Sequence, residues 1–291
     1  MQTPDSISPL GSSPPELEPF VPAPALPEDP AWNLIDVAAI VGFSILAFFI
    51  GTALVMAVAL AIPRFHKFGP AALLENAFVL VPAETLAYLM VLAFMVQLVR
   101  LKKEGSSITA ISCPPTPPPT KKEGGFLAAI SWGRPDRTNA TRALVAGAML
   151  AVFSNVFTSL LSRWIPKSLP IDKLFRDTAS AYLLALFGIV VAPFVEEVFF
   201  RGFLYPALAR RIGAASSIIV TAGLFALIHQ SQLAHAWLPL VWLFIVGLIL
   251  TMVRARTKSV SLCVLIHMSY NAVVFAFVFL ATHAFHQLDN L

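Results

Sequence analysis

Charge is what this chain has least of. Only 12% of its 291 residues are Asp, Glu, Lys or Arg, about half the share of an ordinary soluble domain. So little charge cannot cover a core with polar surface, which excludes a freely soluble globular protein. Cysteine is nearly absent: Cys113 and Cys263 stand alone without CxxC or CxxH spacing, which excludes a disulfide scaffold and a zinc finger. The net charge of +4 is modest, and the basic residues sit in short clusters beside apolar runs. A nucleic-acid groove needs a continuous basic face, so no nucleic-acid partner is expected. Residues 1–35 contain no Lys or Arg and so lack the basic n-region of a secretory signal peptide. The first apolar span is therefore expected to be retained.

What the chain does have is apolar bulk. Hydrophobic residues make up 57% and aromatics 11% of it, with 23 Phe, and the mean hydropathy is +0.78. This is the composition of an all-α, polytopic transmembrane helical bundle whose partners are membrane lipids. A helix needs about 20 apolar residues to cross the hydrocarbon core, and the charge-free stretches mark the crossings. There are 27 uncharged residues between Asp36 and Arg64, a run from Asn76 to Val99 broken only by Glu84, and 20 residues between Arg142 and Arg163. A fourth run begins near Ala179 and meets Glu196 and Glu197. The 42 uncharged residues between Arg211 and Arg254 suffice for two spans joined near His235–Pro239, and a last run covers Val260 to Thr282. The count is seven spans. The segment Phe126–Trp132 is too short to cross and is expected at the interface.

The domain reading follows. Residues 1–35, with nine prolines, form a disordered tail; 36–99 hold two N-terminal helices; 100–142 form a Pro-rich basic linker; 143–282 form a helical core; 283–291 are a C-terminal tail. Trp32, Trp164 and Trp237 fall at span ends, where indole rings favour the headgroup layer. With the N-terminus inside, the inner side carries 14 Lys and Arg and the outer side 6, which predicts N-in for a multi-pass protein of the cell (plasma) membrane.

Ionisable groups inside a span are costly and tend to be functional. In PFVEEVFFRGF, Glu197 and Arg201 are i and i+4 with the acid first, the favourable order for a helical ion pair. Glu196 points about 100° away and lacks that partner. Such a group is either a structural clamp between helices or a site with one acid held and one available. About Arg211–Gly213, Glu196 and His229 are equidistant, each roughly 25 Å from the tip of an antiparallel hairpin. A carboxylate and an imidazole at matched depth make an acid/base pair or two ligands of one metal. His267 and Asn271 are again i and i+4, on one face of an almost wholly apolar helix. Glu84 could pair with a partner within the bundle or line a path, and the structural reading is preferred. His66, His235, His283 and His286 are expected to be solvated or interfacial, and Ser44, Ser154 and Thr158 to bond to their own helix backbone.

These residues, in this order, resemble the CPBP intramembrane proteases, the family of the type II CAAX prenyl endopeptidase and of bacteriocin-processing, Abi-like proteins. EExxxR matches Glu196-Glu197 to Arg201, FxxxH matches Phe225 to His229, and HxxxN matches His267 to Asn271. The likeness covers roughly residues 143–282. It implies eight helices, where seven are counted here, and hydrolysis of a peptide bond in a membrane-associated peptide or protein substrate of CAAX type or similar. It also implies that Glu196 activates water with His229, that His267 and Asn271 stabilise the oxyanion, and that Glu197, Arg201 and Phe225 support them. Glu196, His229 and His267 could equally bind a catalytic zinc and leave a position open for water; a metal-free glutamate mechanism is the alternative. HExxH, GxSG and GxGD are all missing, which excludes the zincin, rhomboid-like and aspartyl intramembrane types. The non-enzymatic alternative is a scaffold, an immunity protein or a transporter that keeps the fold. A transporter would show internal repeats and paired broken helices, and none is visible.

Overall fold

The computed structural model describes residues 30–109, 124–166, 170–175, 177–233 and 236–287, with the side chains of 105–109 left out. The tail at 1–29, the Pro-rich run 110–123 with Cys113, and His235 lie outside the described residues. Helices α1 (Leu34–Ala61), α2 (Pro70–Leu74), α3 (Ala77–Thr109), α4 (Phe126–Ala129) and α5 (Arg137–Leu160) come first. They are followed by α6 (Thr178–Ile212), α7 (Ala214–Leu227), α8 (Trp237–Thr257) and α9 (Val260–Ala281). No strand occurs among the described residues, and the expected all-α membrane bundle is the architecture found.

Six helices (α1, α3, α5, α6, α8 and α9) are long and apolar enough to cross a bilayer. The seventh expected span, α7, has 14 residues and reaches about 21 Å at 1.5 Å per residue, short of the roughly 30 Å hydrocarbon core. Its charge-free run is long, but the chain leaves the helix at Leu227, before His229.

Local chemistry sets where the helices begin. Asn33 and Asp36 form a reciprocal capping box on α1, and Asp136, Asp177 and Ser259 cap α5, α6 and α9. These side-chain acceptors satisfy donors that the first turn leaves free. Two further donors at the start of α9, the amides of Val260 and Ser261, bond to the carbonyls of Ser131 and Trp132 at 2.9 and 3.0 Å. The short α4 segment is thus tied to the bundle, and Ile130 is wholly buried. Gly213, at φ 78°, makes the turn from α6 into α7, where a side chain would be strained.

The bundle packs by close backbone approach, as membrane helices do where small residues meet. A Cβ on Gly147 of α5 would fall 2.8 Å from Ser269 Cβ and 3.0 Å from the Tyr270 amide of α9. One on Gly51 of α1 would fall 2.7 Å from the Ala83 carbonyl of α3. One buried cluster joins α1, α3, α4, α6 and α7 through Trp32, Met95, Phe203 and Phe225. A second joins α5, α8 and α9 through Trp242, Leu250 and Tyr270. Helix α6 runs beside both.

Trp32 corrects an expectation. It is 1% exposed, stacks on Phe203 with ring centres 4.4 Å apart, and donates from Nε1 to the Phe203 carbonyl at 3.0 Å. A protein carbonyl, not the headgroup layer, satisfies this indole. Trp237 stays 63% exposed and Trp164 lies under the Arg163 guanidinium at 3.8 Å. Ser154 is a further correction: its hydroxyl pairs with Tyr270 Oη at 3.1 Å, which also accepts from Trp242 Nε1 at 3.1 Å. Ser44 and Thr158 do bond to their own helices.

Candidate active site

Helix α6 carries the first motif and is not a uniform α-helix. Two stretches, Phe187–Val191 and Val198–Leu204, are π-helical, and each is followed two residues later by a proline, Pro193 and Pro206. A proline inside a helix lacks the amide donor and pushes its ring against the carbonyl four residues back. Those carbonyls belong to Ile189 and Gly202, both inside the widened turns. Closing the turn over one more residue moves the carbonyl away from the ring, so the π turns are the local answer to the two prolines.

The widened turns leave two orphan acceptors. In an i→i+5 pattern the carbonyl of Gly188 would take its bond from residue 193, and that of Arg201 from residue 206. Both are prolines and have nothing to donate. Each carbonyl is met from a neighbouring helix: Asn271 Nδ2 of α9 donates to Gly188 O at 2.6 Å, and Arg254 Nε of α8 donates to Arg201 O at 3.1 Å.

Between the two π turns stand the two acids. Glu197 is 0% exposed and so is Arg201. Glu197 Oε1 accepts from Arg201 Nη1 at 2.7 Å and lies 2.9 Å from His267 Nδ1. Arg201 Nη2 donates to the Gly247 carbonyl at 3.1 Å, and its guanidinium lies 4.7 Å from the centre of the Phe225 ring. Helices α6, α7, α8 and α9 therefore meet around one buried ion pair. The pairing of Glu197 with Arg201 is the one expected from their spacing. Its link to His267 was not expected, because the sequence reading places that histidine with Asn271 at the oxyanion or in a zinc set with Glu196 and His229.

Glu196 is only half buried. Its Oε2 lies 4.0 Å from His267 Nε2, so the imidazole has Glu197 on one nitrogen and Glu196 near the other. An ionised Glu197 can only accept, so Nδ1 donates to it and Nε2 is directed towards Glu196. Glu196 also lines a cavity of about 340 Å³ bounded by α1, α3, α6 and the end of α7. Its walls are mostly apolar, among them Phe48, Val91, Met95 and Phe199.

His229 is not paired with Glu196 by an ion contact within 4.0 Å. It lies in the turn beyond α7, with Nδ1 2.8 Å from the Phe225 carbonyl. The depth-matching of the two residues assumed straight helices of equal length, and α7 ends too early for that. Phe225 bridges the two histidines instead, with ring centres 5.1 Å from His229 and 5.8 Å from His267. Of the two readings of Glu84, the less favoured one matches its place: it lines the Glu196 cavity from α3, together with Tyr88 one turn on. No hydrogen bond or ion pair holds it in place among the described residues. Nothing in the sequence could have shown this, because residue spacing does not reveal which face of α3 turns towards α6.

A catalytic zinc needs three protein ligands about 2.0–2.2 Å from one ion. Glu196 and His267 face each other at 4.0 Å, and the bond from His229 Nδ1 to the Phe225 carbonyl leaves its Nε2 free. Among the described residues no three His, Cys, Asp or Glu side chains are grouped to hold a metal ion. As they stand, Glu196, His229 and His267 are not gathered around one zinc position.

Residues 178–273 match the family model described as type II CAAX prenyl endopeptidase Rce1-like. That segment contains all three motifs and both π turns, and over it the resemblance seen in the sequence is borne out. The chain is also 32% identical over 132 residues to an Escherichia coli protein named "Uncharacterized 24.3 kDa protein". The match covers 43% of this chain and 58% of that protein's length. No solved structure matches.

Proposed function

We propose that this integral membrane protein is an intramembrane endopeptidase. It hydrolyses a peptide bond of a membrane-associated substrate, and Glu196 acts as the general base that activates water. One observation carries the reading: a half-buried carboxylate on the wall of an apolar cavity has an imidazole nitrogen 4.0 Å away, while a second, fully buried carboxylate holds the far side of that imidazole at 2.9 Å. The division of labour is physical. Glu197 has its charge matched by Arg201 and serves as an anchor, whereas Glu196 is left facing the space a substrate would fill.

In this reading water sits between Glu196 and the scissile carbonyl. Glu196 takes a proton as the water oxygen attacks, and the C–N bond breaks as that proton passes to the leaving amine. His267 Nε2 lies beside Glu196. With Nδ1 already donating to the Glu197 carboxylate, Nε2 can donate to the charge developing on the carbonyl oxygen only in the doubly protonated imidazolium, whose charge the carboxylate on the far side of the ring offsets. Such a donor, fixed in advance in a dry site, contributes a few kcal/mol to transition-state stabilisation. His229, next to Phe225, is assigned to the rim of the same site. The match to an Rce1-like family model over the motif-bearing segment favours a CAAX-type substrate within this class.

The test is cleavage of a panel of membrane-anchored peptides by purified protein in detergent, wild type against Glu196→Ala, each with and without a chelator. Activity lost in the variant and indifferent to chelation is the expected result. Activity lost on chelation and restored by zinc would replace the glutamate mechanism with a metal one. Equal cleavage by both proteins would remove Glu196 from the base role. A folded wild type inert across the panel would favour a non-catalytic scaffold.

A further inference from the structure

We infer that Asn271 is a positioning residue: it supplies the hydrogen bond that Pro193 cannot make, and by holding the first π turn of α6 it fixes the rotation of Glu196 towards the cavity. The proposal rests on the reading of Glu196 as the base but makes a claim of its own, about conformation.

A turn that closes over one extra residue leaves the helix beyond it about 100° out of phase with an uninterrupted α-helix. Glu196 stands five residues after the first π turn, so that turn decides whether Glu196 or a neighbour faces the cavity. Within the turn the Ala192 amide bonds to the Phe187 carbonyl, the i→i+5 pattern. The next bond in the series, from residue 193 to Gly188 O, is missing because residue 193 is proline. An unsatisfied carbonyl among apolar helices is expensive, and the Asn271 amide meets it at 2.6 Å.

One turn earlier on α9, His267 grips Glu197 at 2.9 Å. The two bonds hold the first π turn and the acid pair to a single face of α9. The Gly188 backbone also lies close to α9: a Cβ there would fall 2.9 Å from the Phe275 ring, so the turn is seated against α9 directly. The bond to Gly188 O uses one of the two Nδ2 hydrogens of Asn271.

The experiment separates positioning from chemistry by second-site rescue. Pro193→Ala returns an amide that can satisfy the helix internally. In the wild-type background Asn271→Ala is expected to lower kcat at least tenfold while KM stays within about threefold. Asn271→Ala combined with Pro193→Ala is expected to recover to within about threefold of Pro193→Ala alone. A direct donor to the reacting atoms could not be rescued this way, so a double variant as impaired as Asn271→Ala overturns the proposal, as does an Asn271→Ala protein with full activity.

A readout that needs no catalysis runs alongside. Glu196→Cys is labelled with a small thiol reagent, in a background where Cys113 and Cys263 are replaced by serine and alanine. Its labelling rate is expected to change severalfold on adding Asn271→Ala and to return on adding Pro193→Ala. An unchanged rate overturns the proposal even if Pro193→Ala fails to fold. If labelling follows the prediction but no peptide is ever cleaved, the positioning role stands and the protease reading falls.

Discussion

Removing Glu197 is the perturbation whose cost follows most directly from the structure. In Glu197→Ala the Arg201 guanidinium stays fully buried but loses the carboxylate 2.7 Å away. It keeps the Gly247 carbonyl at 3.1 Å and the Phe225 and Phe200 rings. Breaking a buried pair from one side leaves an uncompensated charge and costs about 3–5 kcal/mol. Taking both charges away is different. Glu197→Leu with Arg201→Met leaves no buried ion, only the carbonyl and the imidazole that each lose one bond, at about 1–3 kcal/mol in total. The double variant should therefore be more stable than Glu197→Ala, opposite to what two independent losses would give. The assay is reversible unfolding in mixed micelles, followed by far-UV ellipticity, for wild type, both single variants and the pair. A Glu197→Ala loss below about 1 kcal/mol, or a double variant matching the sum of the singles, would refute the view of Glu197 as the charge anchor.

Other consequences are simpler to check. Gly147→Ala forces a methyl into the α5–α9 crossing and should cost about 1–3 kcal/mol, the range for overpacking, by the same unfolding assay. Tyr270→Phe strips the shared partner from Trp242 Nε1 and Ser154 and should cost about 1–3 kcal/mol, with the Trp emission shifted as the indole loses its bond. Glu84→Gln touches the cavity wall but breaks no ion pair among the described residues, so its unfolding midpoint should hold while KM for peptide substrates moves. If stability falls and KM does not, Glu84 is a structural group after all.

Part of this was open to reading from the residues. Long uncharged runs predict seven crossings, of which six are long enough to span, because burying a charge in lipid is costly whatever the tertiary fold; the seventh run is long in sequence but its helix is short. The Glu197–Arg201 pair is a local relation at i and i+4, which survives even the π turn that contains Arg201. What could not be read depends on relations between helices or on breaks in periodicity. The π turns at Gly188 and Gly202 shift the phase after them and α7 ends early, so the matched depth of Glu196 and His229 does not bring those two into contact, while His267 meets Glu197 and Asn271 meets a carbonyl. The signal was present in Pro193 and Pro206, which sit inside an apolar run and announce that two helix bonds must be replaced from elsewhere. The burial of Trp32 and the placement of Glu84 beside Glu196 depend on how α1 and α3 dock, and no local pattern encodes that.

The most direct test of the central claim is the single-turnover rate of Glu196→Gln on a membrane-anchored peptide that the wild type cleaves, with folding of the variant verified by its unfolding midpoint. This change keeps the size of the side chain and removes its ability to take a proton. A positioned general base is worth roughly 10²–10⁴-fold, so the rate should fall by at least a hundredfold with peptide binding intact. A folded Glu196→Gln protein that cleaves within tenfold of the wild-type rate would contradict the account.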